Sequence, residues 1–150
     1  MNIELLPIQA LLEENAEFIN HPGCQESLEM TIGFYKIVGF NPPWICYYAK
    51  MDNQLVGAAG FKGPPVNNSI EIAYGTFPGF MNKGIGAAIC RKLVLVAQQT
   101  DPGLMITART LPEHNYSTKI LQKNNFTFTG TVWDKDDGDV WEWVYAGDKI

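Results

Sequence analysis

Glu71-Ile72-Ala73-Tyr74-Gly75-Thr76-Phe77-Pro78-Gly79-Phe80-Met81-Asn82-Lys83-Gly84-Ile85-Gly86-Ala87 is the stretch that decides how this chain folds. From Ser69 to Thr76, Ile70, Ile72 and Tyr74 alternate with Glu71, Ala73 and Gly75. That period of two predicts a strand with one apolar face and a carboxylate on the other. Pro78 stops the strand. After a glycine-bearing loop, Ile85, Ala88, Ile89, Leu93 and Val96 recur at helical spacing and predict a helix over residues 84–99. Thr100-Asp101-Pro102-Gly103 ends that helix, and residues 104–109 read as a short strand. Strand, loop, helix and strand thus follow in the order of a right-handed parallel crossover.

Working outward, Asn115 is placed to cap a further helix with Ile120 and Leu121 on its inner side, and Asn124-Asn125 closes it in a left-handed turn. Residues 126–133 and 140–145 read as a terminal hairpin joined by the acidic turn at 134–139. On the N-terminal side, residues 44–50 and 54–61 form a second hairpin about Met51-Asp52-Asn53. Residues 9–20 read as an amphipathic helix, with Leu11, Leu12, Ala16 and Phe18 or Ile19 inward and Glu13, Glu14 and Glu17 outward. His21-Pro22-Gly23 ends it. Residues 27–38 read as another helix, with Leu28, Ile32 and Tyr35 on one stripe and Phe34 beside them. The expected class is α/β, one domain over residues 1–150 with a mixed sheet flanked by about four helices.

A chain of 150 residues buries roughly two-thirds of its unfolded surface, enough for a core without disulfides. With 46% hydrophobic and 18% charged residues the composition argues against disorder and coiled coil. Eleven basic against sixteen acidic residues, net −5, provide no general field for nucleic acid. No apolar run reaches membrane-span length, and the first twelve residues lack a signal-peptide pattern, so a cytoplasmic protein with no membrane partner is expected. Cys24, Cys46 and Cys90 show no zinc-site spacing and read as small apolar residues. The isolated His21-x-x-Cys24 has no second ligand pair, and no metal is assigned.

The loop before the central helix has anion-binding character. Amides of Asn82, Lys83, Gly84, Ile85, Gly86 and Ala87 lie at a helix N-terminus, where orphan donors and the dipole attract phosphate. Gly84 and Gly86 let an anion approach the main chain closely. Lys83 precedes Gly84 rather than following it, so a P-loop fails. Ile89 stands where a dinucleotide fingerprint needs its third small residue, which weakens that reading as well.

Met81-Asn82-Lys83-Gly84-Ile85-Gly86 resembles the Gln/Arg-x-x-Gly-x-Gly/Ala motif of the GCN5-related N-acetyltransferase (GNAT) superfamily, with Met81 in place of the first polar residue. Downstream, Leu111-Pro112-Glu113-His114-Asn115-Tyr116-Ser117 and Leu121-Gln122-Lys123-Asn124-Asn125-Phe126 resemble that superfamily's Leu-Pro-Glu-x-Asn-x-Ser and Leu-x-Lys-x-Gly-Phe segments. Glu71-Ile72-Ala73-Tyr74 and Val140-Trp141-Glu142-Trp143 are similar to the branch of ribosomal-protein alanine acetyltransferases. The resemblance spans residues 53–145. It implies a mostly antiparallel sheet, split where the Glu71 and Leu104 strands diverge, with the pantetheine of acetyl-CoA in the gap. Gly75 and Thr76 would pair with that arm, residues 81–87 would hold the pyrophosphate, and Asn115 and Ser117 would contact the cofactor.

The implied reaction is direct attack of a primary amine, of a small molecule or a protein N-terminus, on acetyl-CoA in a ternary complex. Glu71 matches the position of the base, and its apolar strand gives a reason for a raised pKa. The alternative for Glu71 is a sheet-face ion pair. The tyrosine that serves as acid falls here at Leu121, so Ser117 is the candidate for protonating the thiolate. Asn115 reads equally as a plain helix cap. His114 reads as a solvated loop residue, Tyr74 and Tyr116 as pocket wall or packing, and Trp44, Trp133, Trp141 and Trp143 as core or pocket wall. Asp134, Asp136, Asp137 and Asp139 read as a solvated tip or as a lure for a cationic acceptor. The competing function is a non-catalytic CoA or acyl-CoA binding module, and either a monomer or a homodimer fits.

Overall fold

The computed structural model describes residues 1–147. The strands are β1 (Glu4–Pro7), β2 (Cys46–Met51), β3 (Gln54–Phe61), β4 (Ser69–Thr76), β5 (Met105–Thr110), β6 (Phe126–Asp134) and β7 (Gly138–Tyr145). The helices are α1 (Ala16–Ile19), α2 (Gln25–Val38), α3 (Ile85–Thr100) and α4 (Tyr116–Lys123). One sheet holds the strands in the order β1-β2-β3-β4-β5-β7-β6. Every pairing is antiparallel except β4 with β5, which α3 crosses over to make parallel.

The central segment folds where its periodicity points. Ile70 and Ile72 of β4 are each 2% exposed. They pack with Ile85, Ile89, Cys90, Leu93 and Ala97 of α3, which recur on one side of that helix. Asp52 and Asn53 take left-handed φ of 50° and 63°, the backbone that closes the two-residue β2–β3 hairpin with the twist of its strands. Tyr35 fastens α2 to the sheet: its hydroxyl donates to the Ile8 carbonyl at 2.8 Å and accepts from the Cys46 amide at 2.9 Å.

The N-terminal region departs from the expected helix over residues 9–20. It contains β1, an edge strand paired with β2, then a 3-10 turn at Leu12–Glu14 and the short α1. Asn15, 1% exposed, is the reason. Its side chain accepts from the Gln9 amide at 2.8 Å and donates to the Gln9 and Leu11 carbonyls at 3.2 and 2.9 Å, so it occupies main-chain groups that a continuous helix would use itself. Leu11 and Leu12 are consequently exposed. Trp133, expected in the core or a pocket wall, is 71% exposed on edge strand β6, whereas Trp143 is buried and donates from Nε1 to Thr110 Oγ1 at 3.0 Å.

Candidate active site

The sheet opens at its centre. The parallel ladder runs from Ser69↔Met105 to Ile72↔Ala108 and stops there. Beyond it, Ala73, Tyr74, Gly75 and Thr76 stay paired to β3 on one side only, while Arg109 and Thr110 turn to β7. A wedge is left between β4 and β5, with residues 73–76 presenting an edge that no strand covers. Tyr74 spans the wedge, its hydroxyl donating to the Ser117 carbonyl on α4 at 3.2 Å. Burial pushes the Tyr74 phenol well above its usual range, so it stays protonated to make that bond.

The loop from β4 to α3 closes one end of the wedge. Phe77 donates its amide to the Val56 carbonyl at 2.8 Å, Gly79 and Asn82 adopt positive φ, and Gly84 caps α3 at φ 81°. Among the described residues no side chain caps this helix, so the amides of its first turn remain available for an anion. Lys83 lies over the Phe80 ring at 6.0 Å, and Met81 is half-exposed.

The two glycines of the loop do different jobs. A Cβ on Gly84 would meet only Met1 Cε at 3.7 Å, and glycine is required there by the left-handed backbone. A Cβ on Gly86 would lie 2.6 Å from Ile120 Cδ1, 3.0 Å from Tyr116 Oη and 3.1 Å from Thr76 Oγ1. Gly86 is thus a close-packing residue where α3 meets α4 and β4. For Gly86 the absence of a Cβ is therefore required by packing within the protein, separately from any approach of an anion to its amide.

That contact also brings together two hydroxyls. Thr76 Oγ1 and Tyr116 Oη are both buried and have no hydrogen-bond partner among the described residues, an unfavourable state unless something else supplies one. They flank the start of α3 beside the open edge of β4. Across the wedge, Asn115 caps α4: its Oδ1 accepts from the Thr118 amide at 3.2 Å, its amide donates to Thr118 Oγ1 at 2.9 Å, and its Nδ2 donates to Glu113 at 3.4 Å. Asn115 and Ser117 line a small cavity with Lys62, Arg109 and Asp137, of about 250 Å³.

The register places Glu71, Ala73 and Gly75 on the sheet face toward α2, in line with Ala58 and Gly60 of β3 and Cys46 and Tyr48 of β2. Glu71 is not in apolar surroundings. Its Oε2 lies 2.9 Å from Lys62 Nζ, out of line for a hydrogen bond, and its Oε1 lies 3.9 Å from Arg109 Nε. Arg109 also meets Asp134 at 3.1 Å and Glu142 at 3.5 Å. The sheet-face ion pair is therefore what this structure contains at Glu71. Asp134 accepts from the Asp136 and Asp137 amides as well, and these, with Arg109, hold its carboxyl below the usual range. Above Ala73 and Gly75 a second cavity of about 440 Å³ opens between the sheet, α2 and Asp136 of the β6–β7 turn.

Residues 9–127 match the model of a family described as an acetyltransferase (GNAT) domain. The chain belongs to that family. Its fold is similar to that of the apo RimL ribosomal L7/L12 alpha-N-protein acetyltransferase, at 15% identity over 99% of this chain and 96% of that one, TM-score 0.69. It is also similar to the Campylobacter jejuni N-acetyltransferase PseH in complex with acetyl coenzyme A, at 19% identity over 95% and 97% of the two chains, TM-score 0.67. A third likeness is to the aminoglycoside acetyltransferase AAC(6')-Ib in complex with coenzyme A, at 17% identity over 97% and 94%, TM-score 0.65. No protein of the curated set matches the sequence.

Leu121, at the position where the resemblance implies a tyrosine, is fully buried. His114 meets Trp141 edge-to-face with ring centroids 5.0 Å apart. His21 Nδ1 accepts the Gly23 amide at 3.0 Å, and among the described residues no group of three or more His, Cys, Asp or Glu is arranged for a metal. Cys24 and Cys90 are buried, and Cys46 is half-buried in the larger cavity. Burial raises the Cys46 thiol to about 11 and the Cys90 thiol to about 12, so neither is a ready nucleophile. Lys62 and Arg109 were not found from sequence. Lys62 follows the last residue of β3 and gives no periodic signal, and Arg109 acquires meaning only from the β4–β5 register.

Proposed function

We propose that this GNAT domain is an acetyl-CoA-dependent N-acetyltransferase that acetylates a primary amine, of a small molecule or a protein N-terminus, by direct attack in a ternary complex. The observation behind it is the pair of unpartnered buried hydroxyls, Thr76 Oγ1 and Tyr116 Oη, at the junction of an uncovered strand edge and an uncapped helix start. Polar groups of that kind fit a ligand that is amide-bearing at one end and anionic at the other.

In this reading residues 73–76 pair with the extended arm and the amides of residues 82–87 hold the pyrophosphate, Gly84 by its conformation and Gly86 through its main chain alone. Acetyl-CoA supplies the activated acyl carbon. Glu71 takes one proton from the acceptor ammonium, through water, while Lys62 and Arg109 keep its carboxylate oriented. As the new C–N bond forms and the C–S bond breaks, Ser117 passes a second amine proton to the sulfur. Asn115 keeps α4 capped so that Ser117 stays at the wedge.

Thermal unfolding with and without acetyl-CoA tests the first half. At a hundredfold excess over Kd the stabilisation is about 2.7 kcal/mol, or roughly 5–10 °C for a domain of this size. No rise at millimolar cofactor overturns the proposal. Release of free thiol on adding amines tests the second half. Leu121, where the acid tyrosine is expected, favours a second reading as a non-catalytic CoA-binding module, which would give the thermal rise without thiol release.

A further inference from the structure

The cavity above Ala73 and Gly75 is walled mainly by carbon. Phe34 of α2 faces Cys46, Ala58, Gly60, Ala73 and Gly75 of the sheet across it, and its volume of about 440 Å³ lies within the range of small-molecule sites. Its polar groups are few, and most are committed. Ser27 Oγ and Tyr48 Oη are bonded to each other at 2.7 Å, and burial raises the Tyr48 phenol to about 12, so it stays neutral. Lys62 is held against Glu71 at 2.9 Å. Asp136 is the one carboxylate among the lining residues. Its neighbour Asp134 is engaged by Arg109 and by two main-chain amides, whereas the Asp136 side chain has no contact of that kind among the described residues.

Resting on the acetyltransferase reading above, we infer that the acceptor is a monoamine with an apolar body, of the size of one aromatic ring on a short chain. Its ring sits between Phe34 of α2 and the floor at Ala58 and Gly60, with its ammonium turned toward Asp136. The charge count selects for one cation. A second ammonium, as in a polyamine or an aminoglycoside, would face Lys62 or bare carbon, and an unpaired charge there is strongly disfavoured. A peptide N-terminus would bring main-chain amides against the same carbon wall, where the Ser27 and Tyr48 hydroxyls are already paired. The open floor at Gly75, where a Cβ would meet nothing within 4 Å, lets the amine nitrogen reach the wedge.

The test compares phenethylamine, spermidine and an alanine-initiated hexapeptide as acceptors, following free thiol, and measures phenethylamine binding without cofactor by saturation-transfer NMR. The expected result is a kcat/KM for phenethylamine at least tenfold above either competitor. Asp136→Asn should raise its KM about tenfold while leaving kcat and the acetyl-CoA-induced rise in midpoint unchanged. Ala58→Trp, confirmed folded by its own midpoint, should abolish saturation transfer. Equal or better turnover of spermidine or the peptide overturns the inference, as does an unchanged KM in Asp136→Asn or saturation transfer that survives Ala58→Trp. If no acceptor releases thiol but phenethylamine binding is present and lost in Ala58→Trp, the apolar amine site stands and the acetyltransferase reading falls.

Discussion

Alternate residues of β4 face two different environments. Ile70, Ile72, Tyr74 and Thr76 lie toward α3 and α4, where Ile70 and Ile72 are sealed and Thr76 meets the crowded junction at Gly86. Glu71, Ala73 and Gly75 lie toward α2, where a charge network gives way to open floor. The first face is specified by volume and the second by charge and space. A single strand can therefore build a binding cradle on one side and an approach for a second substrate on the other, because its side chains alternate.

Breaking the charged face should have the largest effect. Glu71→Gln is expected to lower kcat by about a hundredfold, typical of losing a general base, while the acetyl-CoA-induced rise in unfolding midpoint is retained. Unchanged turnover would reduce Glu71 to an ion-pair residue and the charged face to surface. On the packed face, Gly86→Ala should destabilise by about 2 kcal/mol in urea titration, because its Cβ is driven into Ile120, Tyr116 and Thr76. Gly84→Ala, which meets no crowding but must hold a left-handed φ, should lose only about 1 kcal/mol. Equal losses would erase the distinction between the two glycines.

Thr76→Val sharpens the comparison further. It should weaken acetyl-CoA binding about fivefold by calorimetry, the worth of one neutral hydrogen bond, without lowering the stability of the free protein, since the hydroxyl removed has no partner among the described residues. The smallest effect belongs to Asp134. Its carboxyl is held below the ordinary 3.8 by two amides and Arg109, so its contribution is complete above that pH and is lost as the pH falls through the lower folded value. Asp134→Asn should be slightly less stable than the parent at neutral pH, and the gap in unfolding midpoint should close as the pH is taken below 3.8.

The central crossover was legible because its signals are local and mutually consistent. Residues 69–76 alternate, 84–99 repeat at helical spacing and Asn115 sits where a cap belongs, and the structure places β4, α3 and the α4 cap accordingly. The N-terminal helix was misread because periodicity takes no account of a buried amide: Asn15 ties up the main chain at Gln9 and Leu11, a contact visible only after folding. Gly86 shows the same limit on a smaller scale. A glycine in a loop motif signals either conformation or close approach, and the approaching atoms here come from Thr76 of β4 and from α4, thirty or more residues downstream. The Lys62–Glu71–Arg109 network depends on register between three strands, information that no single stretch contains.

The uncovered edge at residues 73–76 bears on how the protein must be handled. The rims of this sheet are blunted in the usual ways, β1 by its short length and Pro7, β6 by the irregularity between Phe128 and Gly130. The interior edge has small uncharged side chains at Ala73 and Gly75, no proline and no bulge, and so lacks any built-in guard against an extended segment from another molecule. Whatever fills the wedge in the working protein also shields that edge. Concentrated preparations without acetyl-CoA are therefore expected to aggregate sooner on mild heating than those saturated with it, a difference that light scattering would register even at temperatures where both remain folded.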